Sequence, residues 1–174
     1  MRRYIPSVDL AEAAAQADEL AQAGSERELA NLRGEWDEEL EAAARSSDFR
    51  ERAKAFRAIG QFRWRAKEEL LRRGLDDESP AARGSALLSI ELMSRDHPST
   101  VNGVRRLLHD LATADGNAAV RRLAVMSLKN GSPDRATIGL LEGMAQDDEA
   151  DGQLRQAAAG VAQQLKRKQA AKRS

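Results

Sequence analysis

The stretch DGNAAVRRLAVMSL, residues 115–128, decides how the chain is read. A turn opened by Asp115 leads into a helix whose Val120, Ala124 and Leu128 fall at i, i+4 and i+8, one face of a 3.6-residue period. Arg121 stands at the opening of that helix, and Ala124 follows three positions later. The same phrase recurs in FRERAKAF (49–56), AARGSALLSI (81–90) and QLRQAAAGVA (153–162). Its arginines, Arg50, Arg83, Arg121 and Arg155, are spaced by 33, 38 and 34 residues, within the range of stacked helical repeats. Arg27/Ala30, Arg52/Ala55, Arg63/Ala66 and Arg167/Ala170 also fit the bare Arg-x-x-Ala pair, as a chain rich in both residues must, and carry no evident structural meaning.

Working outward, apolar residues keep helical spacing almost everywhere, and no long stretch alternates at period two. The pattern predicts helices near 8–23, 26–45, 48–59, 63–75, 80–94, 99–113, 118–129, 133–146 and 152–168. Ser79–Pro80 and Ser132–Pro133 read as helix starts, with serine as N-cap and proline in the first turn, where its missing N–H costs nothing. A third start is expected near Pro98, and Asn130–Gly131 reads as a left-handed helix exit.

On these residues the chain resembles the HEAT-like repeat family, especially the short repeats of bilin-lyase-like proteins. There a first helix leads through an Asp-containing turn into a helix opening V-R-x-x-A. Residues 115–128 fit best and DDEADGQLRQAAAGVA (147–162) second; 76–92 has Ala82 in place of valine, and in 48–60 Asp48 stands only two positions before Arg50. The resemblance implies an all-α fold, a right-handed α-α superhelix of about four helix pairs over 26–166. A capping helix within 1–25 would precede it and a basic tail, 167–174, would follow. It also implies a ladder between neighbouring repeats, here Arg50, Arg83, Asp115, Arg121, Asp148 and Arg155. A plain four-helix bundle is the rival architecture, but a bundle does not require a recurring phrase.

Composition narrows the chemistry. With no cysteine among 174 residues, disulfides and thiolate metal sites are excluded. MRRYIPSVDLAEAAAQ has no apolar run of a signal peptide, and no stretch reaches the roughly 18 apolar residues of a membrane span, so a cytoplasmic protein is expected. Arginine outnumbers lysine and alanine abounds, a bias of GC-rich bacterial genomes. His97 and His109 lie in no metal-ligand pattern and are expected at the surface. The acidic runs lack the spacing of a calcium loop, and no glycine-rich phosphate loop is present. No cofactor and no catalytic activity are expected.

Net charge is zero, yet residues 9–48 carry twelve acids against Arg27, Arg33 and Arg45, and 49–73 carry nine bases against three acids. Such complementary blocks favour docking within the chain or onto a partner. Within the basic block, FRERAKAFRAIGQFRWRAKEELLRR, Phe49, Phe56 and Phe62 read either as core or as part of a contact surface, and Trp64 stands between Arg63 and Arg65. The expected function is a non-enzymatic interaction scaffold. Its concave face would come from the second helix of each pair, with Arg52, Arg57, Arg63, Trp64, Arg65, Met93, Arg122 and Met126 as candidate contacts to a protein partner. The chain itself is expected to be a monomer or weak homodimer. Weak nucleic-acid binding through 50–73 and the basic tail is the alternative, as on the basic concave face of HEAT-like DNA glycosylases; handling of a ligand in the manner of a bilin lyase comes third.

Overall fold

The computed structural model describes residues 9–174; positions 1–8, which include the beginning of the expected cap and of MRRYIPSVDLAEAAAQ, lie outside the described residues. Among the described residues the chain is all-helical, without strands. The elements are α1 (Leu10–Gln22), α2 (Glu26–Ala44), α3 (Phe49–Gln61), a 3-10 turn (Arg65–Lys67), α4 (Glu68–Gly74), α5 (Pro80–Ser94), α6 (Ser99–Asn102), α7 (Arg105–Ala114), α8 (Ala118–Leu128), α9 (Arg135–Ala145) and α10 (Gly152–Ala171). No described helix is long and apolar enough to cross a membrane. The chain divides into two compact units, one up to Ser89 and one from Ile90, with the division inside α5.

In the first unit α1 packs on both α2 and α3, which also pack on each other. Ala13, Ala14 and Ala17 of α1, Leu29 and Leu40 of α2, and Ala55, Phe56, Ala58 and Ile59 of α3 are all buried. Alanines where helices meet let their axes approach near the close end of the ~8–10 Å range. Each buried large side chain contributes about 1.5–3 kcal/mol. Two glycines bring α5 closer still. A Cβ on Gly74 would stand 2.9 Å from Ala86 Cβ, and one on Gly60 only 2.6 Å from the backbone Cα of Ser89. Ser89 Oγ donates to Phe56 O at 2.6 Å and accepts from Gly60 N at 3.1 Å, so this buried hydroxyl bridges one turn of α3.

The second unit packs its helices in a definite order. α7 pairs with α8 and α9 with α10, while α8 lies against α10 and α7 against α9. First helices thus meet first helices, and second helices meet second. An up-down bundle of the same four would seat α9 beside α8 and α10 beside α7. Val120, Ala124, Val125 and Leu128 of α8 are buried, as are Leu154, Ala158, Val161 and Leu165 of α10.

Several helix boundaries depart from the sequence expectation, each for a local reason. The expected helix 63–75 is a 3-10 turn followed by α4, and 99–113 breaks at Gly103, a poor helix former. Ser132 does not cap α9, because its N donates to Asn102 Oδ1 and its Oγ accepts from Asn102 Nδ2, both at 3.0 Å. The cap passes to Asp134, whose carboxylate accepts from Thr137 N at 2.9 Å. Nor is Gly131 left-handed; positive φ among the described residues belongs to Gly24 and Arg63. Gly131 is needed for space, since a Cβ would meet Val101 Cγ1 at 2.7 Å. α10 runs to Ala171, so most of the expected tail is helix.

Candidate protein-binding surface

The phrase has matching geometry at its first two stations, in a register two residues from that expected at the first. Arg52, not Arg50, makes the turn contacts there. Its Nη1 donates to Ser46 O at 3.0 Å and Ser47 O at 3.1 Å, six and five residues upstream. Arg83 Nη1 donates to Asp77 O at 2.8 Å and Glu78 O at 3.2 Å, at the same two offsets. The turn residue six before Arg52, Arg83 and Arg121 also takes an amide two residues on, whereas before Arg155 the accepting residue, Asp147, stands eight positions back. Asp48 N donates to Ser46 Oγ at 3.1 Å, Ser79 N to Asp77 Oδ1 at 2.9 Å, and Asn117 N to Asp115 Oδ1 at 2.8 Å. The alanines three past Arg52, Arg83, Arg121 and Arg155 are all fully buried, whereas Ala53, three past Arg50, is only half-buried.

Arg52, expected to face a partner, therefore joins two layers. Its Nε meets Asp77 Oδ2 at 2.7 Å and its Nη2 meets Oδ1 at 2.9 Å, a bidentate fork with both side chains mostly shielded. Arg52's hydrogen bonds, aided by the Ser79 amide, hold the Asp77 carboxyl below its usual pKa against the effect of burial. Arg50 is exposed, with its guanidinium over the Phe49 ring at 5.0 Å. At the last station Arg155 reaches Asp148 at 3.5 Å, and Asp148 is almost wholly in solvent, so this pair holds little. Arg121 is half-buried.

Two other basic residues of the 49–73 block, Arg63 and Lys67, answer the acidic helices before them. Trp64 N donates to Ile59 O and Arg63 N to Gly60 O, each at 3.0 Å, closing α3 in a Schellman pattern with Arg63 at φ +49° in place of the usual glycine. The Arg63 side chain caps Gly60 O and Gln61 O and pairs with Asp18 at 2.7 Å. Arg33 takes the next two carbonyls, Phe62 O and Arg63 O. Lys67 meets Asp37 and Glu41, each at 2.6 Å, and lies 5.2 Å from the Trp64 ring centroid. Burial depresses the Lys67 ammonium, but the two carboxylates outweigh it and hold its pKa above the usual value. Trp64 is half-buried and tilted against fully buried Phe62 at 5.6 Å.

The remaining candidates separate. Met93 is buried, Arg122 is half-buried, and Met126 is exposed on α8. Arg65 is exposed and faces Glu68 at 3.7 Å. His97 is exposed, while His109 is half-buried against Thr137, away from the surface position expected of it. The Thr137 hydroxyl has one proton, which goes to Asp134 Oδ2 at 2.8 Å. Arg105 Nη1 at 3.0 Å and His109 Nε2 at 2.9 Å must then both donate to it, which fixes the Nε2–H tautomer. Burial, then the Arg105 charge, lowers the His109 pKa. The cluster is internally satisfied and joins α7 to α9. Among the described residues no group of three His, Asp or Glu could hold a metal ion.

An open groove lies on α1, α3 and α5; it includes Arg57 and faces of the helices 48–59 and 80–94 expected to carry contacts, together with α1, where none is expected. Phe49, Ala53, Arg57 and Gln61 recur at four-residue steps along the solvent face of α3, opposite buried Ala55, Phe56 and Ile59. Ala11 of α1 and Ala81 and Ser85 of α5 complete a trough of about 360 Å³ with a largely apolar floor. Phe49 is 41% exposed at its rim. Arg57 is part-covered, and no ion pair to it is seen among the described residues. Against models of protein families and against curated proteins, the chain finds no match.

Proposed function

We propose that the chain is a non-enzymatic protein-interaction module: a HEAT-like, right-handed stack of helix pairs that holds a protein partner on the faces of its second helices. The supporting observation is the packing order of α7 to α10, first helix on first and second on second, which leaves each row of second helices with one outward face. The matching Arg52 and Arg83 turns and the Arg52–Asp77 fork support repeats linked through their turns. The open trough over α1, α3 and α5 supplies the surface. Nucleic-acid binding through 50–73 is the weaker reading, because Arg52, Lys54, Arg63, Arg65 and Lys67 already meet carboxylates of the same chain.

A photo-crosslinking amino acid at Ser85, in the trough, and at exposed Glu39, on first helix α2, tests this in lysate of the native host. Capture of a discrete protein from Ser85 and not from Glu39, unchanged by nuclease, is expected. Equal capture at both positions, capture abolished by nuclease, or none from Ser85 would overturn the reading.

A further inference from the structure

We infer that the trough on α1, α3 and α5 takes an acidic amphipathic helix of the partner, with an apolar side chain on the alanine floor and carboxylates on Arg50 and Arg57. This rests on the protein-binding reading above and adds the chemistry of the occupant. Among the described residues three cations line the trough, Arg50, Lys54 and Arg57. Lys54 already holds Glu51 at 3.0 Å, and that hydrogen bond raises its pKa. Arg50 lies over Phe49, and among the described residues neither Arg50 nor Arg57 is paired with a carboxylate. The trough therefore has two unspent positive charges above an uncharged floor of Ala11, Ala53 and Ala81, with Phe49 at one end.

That pairing of features selects among occupants. A neutral apolar segment would fill the floor but leave Arg57 unpaired and further desolvated. A basic segment would be repelled. Nucleic acid would find Arg50 and Arg57 for phosphate, but among the described lining residues only the Phe49 ring to stack on, its face already covered by Arg50. A helix carrying Leu or Phe at i and i+4 and Glu or Asp beside them satisfies both floor and rim, in the helix-in-groove mode. At about 360 Å³ the trough is near the low end of small-ligand sites and open, room for the anchor side chains of a docked helix.

Fluorescence anisotropy with a labelled Leu/Glu amphipathic peptide of about 16 residues tests the inference, using its Leu/Gln and Leu/Lys analogues as controls. The Leu/Glu peptide should bind saturably, weaken severalfold as exposed charges are screened at ~0.5 M salt, and weaken at least tenfold with Phe49→Ala or with Arg50→Glu and Arg57→Glu together. If the double charge reversal does not fold by circular dichroism, Arg50→Gln with Arg57→Gln replaces it. Equal binding of the Leu/Gln or Leu/Lys peptide, indifference to the variants, or no binding of the Leu/Glu peptide at ~1 mM would overturn the inference. So would competition by a short DNA duplex, or self-association lost with Arg57→Glu, which would put a second copy in the trough. Mapping the segment crosslinked at Ser85 separates the two claims. A neutral or basic captured segment removes this inference and leaves the interaction module standing, whereas no capture removes the module itself.

Discussion

Replacing Gly60 by alanine reverses the usual effect of that substitution. A helix-interior Gly→Ala change favours the helix by about 1 kcal/mol. At Gly60, however, the new methyl would sit 2.5 Å from Ser89 Oγ, 2.6 Å from Ser89 Cα and 2.7 Å from Ser89 Cβ. The Cα is backbone and cannot rotate aside, so α3 and α5 must separate, and forcing an extra methyl into a packed interface costs roughly 1–3 kcal/mol. Separation also strains the Ser89 bridge between Phe56 O and Gly60 N, at about 1 kcal/mol. The net expectation is destabilisation of about 1–3 kcal/mol. Gly34→Ala is the control: it lies within α2 with nothing within 4 Å of its Cβ position, and should stabilise by up to ~1 kcal/mol. Urea denaturation followed by tryptophan fluorescence reads both, because Trp36 and Trp64 belong to the first unit. Combining Gly60→Ala with Ser89→Ala should restore only part of the loss, since the new methyl still collides with the backbone of α5. A Gly60→Ala protein as stable as Gly34→Ala would refute the close α3–α5 approach.

Arg52→Lys should lower the melting temperature measurably while Arg50→Lys leaves it unchanged, because a single ammonium cannot reproduce the fork to Asp77 and the two turn carbonyls; equal effects would contradict the register. Asp77, held below its usual pKa by Arg52, stabilises the fold at neutral pH, and that contribution should fade as pH falls through its folded value. In the Asp77→Asn protein, urea midpoints should show a shallower acid slope below about pH 4. His109, whose folded pKa is depressed, contributes stability that is complete above its ordinary value near 6.5 and is lost as pH falls toward the folded value. Amide exchange in α7 and α9 should therefore quicken from pH 7 to pH 5 beyond the intrinsic pH effect, and His109→Gln should remove the excess; a variant that keeps it would contradict the assignment.

How much of this can be read from the residues depends on whether the signal is local. The helices around Val120 and Leu154 follow from apolar spacing, and their alanines are buried as that spacing implies. The first station of the phrase misleads at Arg50 because Asp48 looks like the turn acid. Ser46 fills that place, and Arg52/Ala55 carries the pattern. A search for a turn acceptor six residues before Arg52, Arg83 and Arg121 finds this register, since Ser46, Asp77 and Asp115 all satisfy it. Before Arg155 the acceptor, Asp147, stands eight residues back. The partners of Arg63 and Lys67 come from α1 and α2, far back in the chain, and composition says only that acids exist there. The trough is least legible. It is made from alanines, whose exposure depends on neighbours rather than type, so Phe49 and Ala53 carry no mark that Phe56 and Ala55 lack.

The layered order of helices is tested most directly by methyl NOEs in alanine- and valine-labelled protein. The account predicts cross-peaks between α8 and α10, from Ala124 and Val125 toward Ala158 and Val161, and between α7 and α9. Strong α8–α9 and α7–α10 cross-peaks in their place would mean helices gathered around one axis, and neither the repeat assignment nor the shared second-helix face would survive.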